Sequence, residues 1–326
     1  MIRCPLLALV LLSVAPPGAA EPTHSFVGHW AFELPDGNPA WLEVESSAVS
    51  LLWSVGSARP VEEFSVRGEQ LTFTRTIQWK PFGEEPARKI SKPITGSIDA
   101  RDRLVLTVQQ DDGKGGEEQF QIRGKRLPPM PDRPDLSEIK FGEPIPLLGA
   151  DLSGWQLINE DKKKNGWRVE GGVLINETPK TDFTAYGSYG NLRTDREFED
   201  FELTLDYKVE AGGNSGIYLR GMYEVQVVDR DSKMQGIQGP GAVFGRIRPS
   251  KNAANPPGEW NRYRLTLVDR HITVVLNGET VIDNQPLPGC TGGGMLADDT
   301  KPGPIFLQGD HTSVQYRGLS LRPVLR

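Results

Sequence analysis

Short runs in which polar and apolar residues alternate, each cut off by glycine or proline, recur from residue 25 to residue 321, and no stretch keeps a helical period. A period of two builds strands with one buried face, whereas a helix must repeat every three to four residues to bury a stripe. With 36 glycines and 26 prolines as punctuation, the fold class is all-β. Residues 21–126 carry short runs separated by turn signals such as Pro35-Asp36-Gly37, Arg67-Gly68 and the turn at 112–115; they predict a small antiparallel β barrel or sandwich. Residues 127–139 are rich in proline, which can form neither helix nor central strand, and read as a semi-rigid linker between two independently stable domains. Beyond it, residues 140–326 carry longer strands, among them 167–175, 196–209, 260–268 and 305–307. Asn277-Gly278 inside 273–282 is a two-residue hairpin turn. Many long strands joined by hairpins predict a two-sheet sandwich for this second part.

The first twenty residues stand apart. Arg3, the apolar run from Pro5 to Val14 and the small residues Gly18-Ala19-Ala20 have the order of a secretory signal peptide, with cleavage after Ala20. The expectation is an exported protein, periplasmic or extracellular, with no membrane span, because the apolar run is too short to cross as a helix and no later stretch is long enough. Cys4 leaves with the leader, so Cys290 stands alone and no intramolecular disulfide can form. A formal net charge of -6 with scattered basic residues argues against a nucleic-acid partner, which would need a basic face.

The most informative stretch runs from Gly213 to Asp229, where two alternating strands flank Gly221-Met222. If Ile217, Leu219, Val225 and Val227 face a core, then Asn214, Gly216, Tyr218, Arg220, Glu224, Gln226 and Val228 face the other way. Two amides, a phenol, a guanidinium and a carboxylate on one sheet face, beside glycines that admit a ligand to the backbone, suit a carbohydrate-binding face. By the same parity Ile305 and Leu307 point to the core, leaving Phe306 and Gln308 on the outer face, with Asp310-His311 following. Asp310-His311 reads equally as a polar turn ending that strand.

Seven blocks in the second domain carry a resemblance. Leu152-Ser-Gly-Trp155, Gly166-Trp-Arg-Val-Glu-Gly-Gly-Val-Leu174, Asn214-Ser-Gly-Ile-Tyr-Leu-Arg220, Tyr223-Glu-Val-Gln226, Gly258-Glu-Trp-Asn261, Val275-Val-Leu-Asn-Gly278 and Gly303-Pro-Ile-Phe-Leu-Gln-Gly-Asp-His311 fall in the order of the 3-keto-disaccharide hydrolase family, over roughly residues 140–324. The resemblance implies a concanavalin-like jelly-roll sandwich acting on glycosides already oxidised at C3, with a carbohydrate substrate. It does not reach the first domain.

Ordinary glycosidases need two carboxylates at the scissile bond, and the 224–228 strand supplies one on its outer face. A 3-keto sugar does not need the second, because the ketone acidifies the C2 proton: one base removes it, the C1 substituent leaves by elimination, and water adds back. Glu224 or His311 is the base in this reading, and Arg220 with Asn214 and Gln226 holds the oxyanion and hydroxyls. Tyr218, Gln308 and Asp310 join the substrate-binding set. No metal-ligand set stands out, although Asp298-Asp299 could help hold a divalent cation such as calcium. His29 reads as an exposed strand residue, Trp260 as a core or rim aromatic, and the basic loop at 245–252 as a solvated loop or a gate over the face. Two other classes fit the same residues: a non-catalytic lectin-like module, and a structural exported protein whose outer face meets a protein partner.

Overall fold

The structure is a computed structural model that describes residues 25–79, 88–111, 116–179 and 188–325. The expected leader at 1–20 and the turn at 112–115 lie outside the described residues. The first nine strands are β1 (Gly28–Glu33), β2 (Pro39–Val44), β3 (Val49–Trp53), β4 (Arg59–Pro60), β5 (Phe64–Arg67), β6 (Gln70–Trp79), β7 (Arg88–Ile98), β8 (Arg103–Asp111) and β9 (Glu117–Arg126). They form one antiparallel sheet in the order β4-β3-β2-β1-β9-β8-β7-β6-β5. Its two edges, β4 and β5, are consecutive in the chain. The segment between them ties both sides together, with Val61 N donating to Val49 O at 2.9 Å and Thr74 N donating to Glu63 O at 3.2 Å. The sheet therefore rolls around its own core of Trp30, Phe32, Leu42, Leu51, Phe73, Ile94, Leu104 and Leu106.

The remaining strands are β10 (Ile145–Pro146), β11 (Trp155–Leu157), β12 (Trp167–Glu170), β13 (Val173–Asn176), β14 (Leu192–Phe198), β15 (Phe201–Lys208), β16 (Asn214–Leu219), β17 (Tyr223–Val228), β18 (Asn261–Val268), β19 (His271–Leu276), β20 (Glu279–Pro286), β21 (Gly303–Leu307) and β22 (Val314–Pro323). Seven of them form a sheet in the order β12-β13-β22-β15-β18-β19-β20, with β10 also pairing to β22, and a second sheet runs β11-β14-β21-β16-β17. Leu203, Leu205, Leu265 and Val274 from the first of these sheets share one core with Ile217, Leu219, Val225, Val227, Ile305 and Leu307 from the second. The all-β two-sheet sandwich expected from the strand pattern, and the jelly roll that the resemblance implies, are the architecture observed. Among the described residues the only helical element is a single 3₁₀ turn at Gly236–Gln238.

Two expected strands are divided in the structure. Residues 167–175 form the hairpin β12–β13, because Gly171 and Gly172 at φ +58° and +78° supply the left-handed pair that a tight hairpin needs. Residues 196–209 break after Phe198, and β14 and β15 lie in different sheets, so the chain crosses the sandwich at Glu199-Asp200. The Asn277-Gly278 turn is as expected, with φ +52° and +85° between β19 and β20.

The rolled sheet and the sandwich are joined by side-chain parity. On β1 to β3, Trp30, Phe32, Leu42 and Leu51 point into the roll, while Ala31, Trp41 and Leu52, at the alternate positions, belong to the sandwich core. The proline-rich segment is bound along its length: the Arg270 guanidinium donates to the carbonyls of Pro128 and Pro129, and Asn284 Nδ2 donates to Pro134 O at 2.8 Å.

Candidate active site

The outer face of the five-stranded sheet carries the residues that parity assigns to it. In the β16–β17 hairpin Tyr218 stands opposite Glu224 and Gly216 opposite Gln226, while on β21 Phe306 pairs with Tyr218 and stacks its ring on it at 4.3 Å between centroids. This face is roofed. Tyr218, Glu224 and Gln226 are 1%, 3% and 1% exposed. Phe244 N donates to Glu224 O, and Gln226 N to Ala242 O, so the 239–245 segment lies along β17 as a partial extra strand. The loop after Cys290 comes down beside it: Glu224 N donates to Thr291 Oγ1 at 2.9 Å, whose hydroxyl in turn donates to Met222 O.

Between roof and sheet lies a cavity of about 520 Å³, lined by Asn214, Tyr218, Glu224, Gln226, Gln308 and His311, together with Val55, Gly56, Met234, Phe244, Gly292 and Gly293. The volume is that of a small-molecule site. Glu224 is the one carboxylate among these residues. Burial pushes its carboxyl up to about 8; the Tyr218 hydroxyl, 2.9 Å from Oε2, opposes that shift and the nearby Asp310 charge adds to it. The same Tyr218 oxygen lies 3.1 Å from Gly292 O. Gly216 makes room for the carboxyl, since a Cβ there would lie 2.3 Å from Glu224 Oε1.

His311 stands in the turn after β21, and several side chains fix that turn. Asn191 Oδ1 accepts from the backbone N–H of Gly309 and of Asp310, Asn176 Nδ2 and Thr178 Oγ1 donate to Gly309 O, and Thr312 Oγ1 accepts from Asn214 N at 2.8 Å. Asp310 Oδ1 lies 2.5 Å from His311 Nδ1. A carboxylate there holds the proton on Nδ1 and leaves Nε2 as the basic nitrogen. Asp310 itself stands behind the imidazole and is not among the lining residues. Asn214 Oδ1 accepts from Gln226 Nε2 at 3.0 Å. The amide oxygens of Gln226 and Gln308 are buried with no hydrogen-bond partner in the protein, and both residues line the cavity.

Arg220 departs from the expectation. It follows the last residue of β16, adopts φ +55°, and its guanidinium donates to Lys301 O and Asp299 O, the latter at 2.9 Å. Strand parity ends at Leu219, so the side chain swings under the 299–301 loop and does not line the cavity. Asp298 and Asp299 do not fit a calcium site: the Asp298 carboxylate takes Lys125 Nζ and Thr300 Oγ1, and Asp299 pairs with Arg270 at 3.1 Å. Arg246, from the basic loop, donates to Cys290 O and stacks on Trp41 at 4.3 Å, so it anchors the roof to β2 instead of gating it. His29 is half-buried and bonded to Glu43 at 3.0 Å, not exposed. Trp260 carries the Arg317 guanidinium on its ring at 4.0 Å and lies outside the cavity. Val55, Gly56, Met234, Phe244, Gly292 and Gly293 were not legible as site residues, because nothing in their own sequence windows says which sheet face they cover.

Comparison with known proteins agrees with the second domain's reading. A 3-keto-disaccharide hydrolase from Bacteroides thetaiotaomicron is 25% identical over 161 residues, which is 41% of this chain and 56% of the relative; the chain thus spans about half the length of that curated relative. A solved structure from Parabacteroides distasonis, provisionally named a glycosyl hydrolase, is 26% identical and overlaps 61% of this chain and 94% of its own, with a TM-score of 0.45. A carbohydrate-binding module from Bacillus subtilis is 9% identical over 52% of this chain and 94% of its own, with a TM-score of 0.33. At these TM-scores the solved structures carry no argument about function. The sequence itself matches the family described as the 3-keto-alpha-glucoside-1,2-lyase-like domain over residues 143–322, more than half of the chain, and the protein belongs to that family.

Proposed function

We propose that the protein cleaves glycosides whose sugar is already oxidised at C3, by elimination and rehydration, and that it does so as an exported enzyme. The observation that carries this reading is one cavity holding a single buried carboxyl, raised to about 8, together with a histidine whose Nδ1 is held by an aspartate. A hydrolysis that needs two carboxylates flanking the bond has only one on the cavity wall. The elimination route needs one base and one acid, and this pair supplies them.

In the proposed sequence His311 Nε2 takes the C2 proton, and the electron pair moves to the C3 oxygen as an enolate. The NH₂ of Asn214, whose amide oxygen is already engaged by Gln226, donates to that oxygen. The enolate collapses and expels the C1 substituent, and Glu224, protonated at neutral pH, gives its proton to the departing oxygen. Water then adds at C1 of the enone. Glu224 recovers a proton from that water, His311 returns its proton to C2, and the products are the free 3-keto sugar and the leaving alcohol. The Gln226 and Gln308 amide oxygens accept from sugar hydroxyls. Of the two bases left open by the sequence, the raised carboxyl of Glu224 favours the acid's role and leaves the base's role to His311.

The leaving group tests this assignment. Glu224→Gln is expected to lose about a hundred- to ten-thousand-fold in rate on alkyl 3-keto-glucosides, whose departing oxygen needs a proton, and less than tenfold on 4-nitrophenyl 3-keto-glucoside, whose oxygen does not. The wild-type rate on alkyl substrates falls above about pH 8, and that limb vanishes in the variant. Equal losses on both substrates would make Glu224 the base. Sugar binding without turnover of any 3-keto-glycoside would establish the lectin-like reading instead. For export, mass spectrometry of the mature protein is expected to find Glu21 as the first residue.

A further inference from the structure

The rolled first sheet lies wholly before the matched family region at 143–322, yet it reaches into the cavity. Its β3–β4 connection contributes Val55 and Gly56 to the lining. The loop is built to stay there. Ser54 and Gly56 hold left-handed φ values of +63° and +81°, Val55 N donates to Trp53 O at 2.8 Å, and Ser54 O accepts from Gly293 N at 2.8 Å. The sandwich leaves no space beneath it: a Cβ on Gly292 would lie 2.1 Å from Gly56 O, and one on Gly245 would lie 2.5 Å from Ser57 Oγ. The loop is therefore seated between the two roof segments of the second domain.

The lining is divided by polarity and by depth. Tyr218, Glu224 and Gln226 form a floor that is nearly sealed, whereas Val55 is 72% exposed, the highest value of any large apolar side chain among the described residues. Met234 and Phe244, half-buried, lie between these extremes. Every hydrogen-bonding side chain of the lining belongs to Asn214, Tyr218, Glu224, Gln226, Gln308 or His311; the rest of the wall is Val55, Met234, Phe244 and three glycines. A second sugar at that wall would lose hydration from its hydroxyls and find no side-chain partners. An apolar group there gains by covering Val55 and Phe244.

We propose that the β3–β4 loop, with Met234 and Phe244, forms a leaving-group subsite, and that the C1 substituent this protein accepts is an apolar aglycone, aryl or arylalkyl, instead of a second sugar. The proposal rests on the cleavage reading above for the orientation of the substrate, with the oxidised ring on the polar floor. It gives the first domain a role in specificity: Val55 is a specificity-determining residue supplied from outside the family's own domain.

The test compares benzyl 3-keto-glucoside with a 3-keto-glucosyl-glucose disaccharide. Benzyl alcohol is no better a leaving group than a sugar hydroxyl, so any preference for it must come from binding. The wild type is expected to favour the benzyl substrate at least tenfold in kcat/KM. Val55→Asn, at an exposed position that leaves the core untouched, and Phe244→Ala are each expected to lower that value about tenfold, chiefly through KM, and to lower the disaccharide's value by clearly less, so that the preference for benzyl shrinks. A wild type that favours the disaccharide, or a Val55→Asn variant that slows both substrates alike, overturns the proposal. Calorimetric binding of unoxidised benzyl glucoside and of maltose, to wild type and to Val55→Asn, separates this from failure of the cleavage reading. Tighter benzyl glucoside binding that Val55→Asn abolishes supports the subsite even if no 3-keto substrate turns over, and indifferent binding of the two ligands overturns the subsite even if the chemistry stands.

Discussion

The turn of the β16–β17 hairpin and the sheet face beside it bury polar side chains and put them to opposite uses. At the turn, Arg220 is 2% exposed and its guanidinium is bonded to two loop carbonyls. Four residues on, Glu224 is 3% exposed, and Gln226 and Gln308 each keep an amide oxygen with no protein partner. Burial by itself therefore does not mark a functional group here. What separates the sets is where the side chains lie: the Arg220 guanidinium is engaged by a loop that it ties down, whereas Glu224, Gln226 and Gln308 line the cavity. Arg270 belongs with Arg220, strapping the proline-rich segment and Asp299 to the sandwich.

The contrast is sharpened by variants in each set. The largest effect is expected at His311. His311→Gln removes the base, so turnover should fall about a hundred- to ten-thousand-fold, and exchange of the C2 proton in deuterated water should stop, with the thermal midpoint little changed. Retained exchange would move the base elsewhere. At the turn, Arg220→Met strips two buried carbonyls of their donor and should destabilise the fold by about 2–4 kcal/mol, while the folded fraction keeps its kcat. A variant that stays as stable as the wild type but loses turnover would return Arg220 to the catalytic set.

Glu224 offers a comparison in pH. Its carboxyl is raised from 4.5 to about 8 in the folded chain, so between those values the native state holds a proton that the unfolded state has released. Stability then falls as pH rises through that window. Glu224→Gln lacks this dependence. Unfolding free energies should differ little near pH 5 and favour the variant by on the order of 4 kcal/mol at pH 9; parallel profiles would mean that the carboxylate is solvated. The smallest effect is expected at Gln308. Gln308→Leu removes an acceptor that no protein group uses, and should raise KM by about five- to tenfold at no cost in stability. A loss of stability there would show that the oxygen has a structural partner, and would erase the distinction between the two sets.

Strand parity made much of the candidate site legible. The assignment of Tyr218, Glu224, Gln226 and Gln308 to one face and of Ile217, Val225, Val227 and Ile305 to the other needs only the period of two, and the structure has both. Parity failed at Arg220 because the strand ends one residue earlier and the backbone turns left-handed, after which alternation no longer dictates direction. It also failed at Glu199-Asp200, where an apparently continuous alternating run changes sheets.

By itself the sequence determined the fold class, the hairpin turns and the polar inventory of one sheet face, because these depend on neighbours two residues away or on the φ values that Asn-Gly and Gly-Gly tolerate. The tertiary structure alone decided that this face is roofed, that Asp310 stands behind His311, and that the loop holding Val55 and Gly56, far before Glu224 in the chain, reaches the same cavity. Those facts depend on which distant segments meet, through contacts such as Gly293 N to Ser54 O and Arg246 over Trp41. The raised carboxyl follows from them as well, since Glu224 is shifted chiefly because the segments that cover it exclude water.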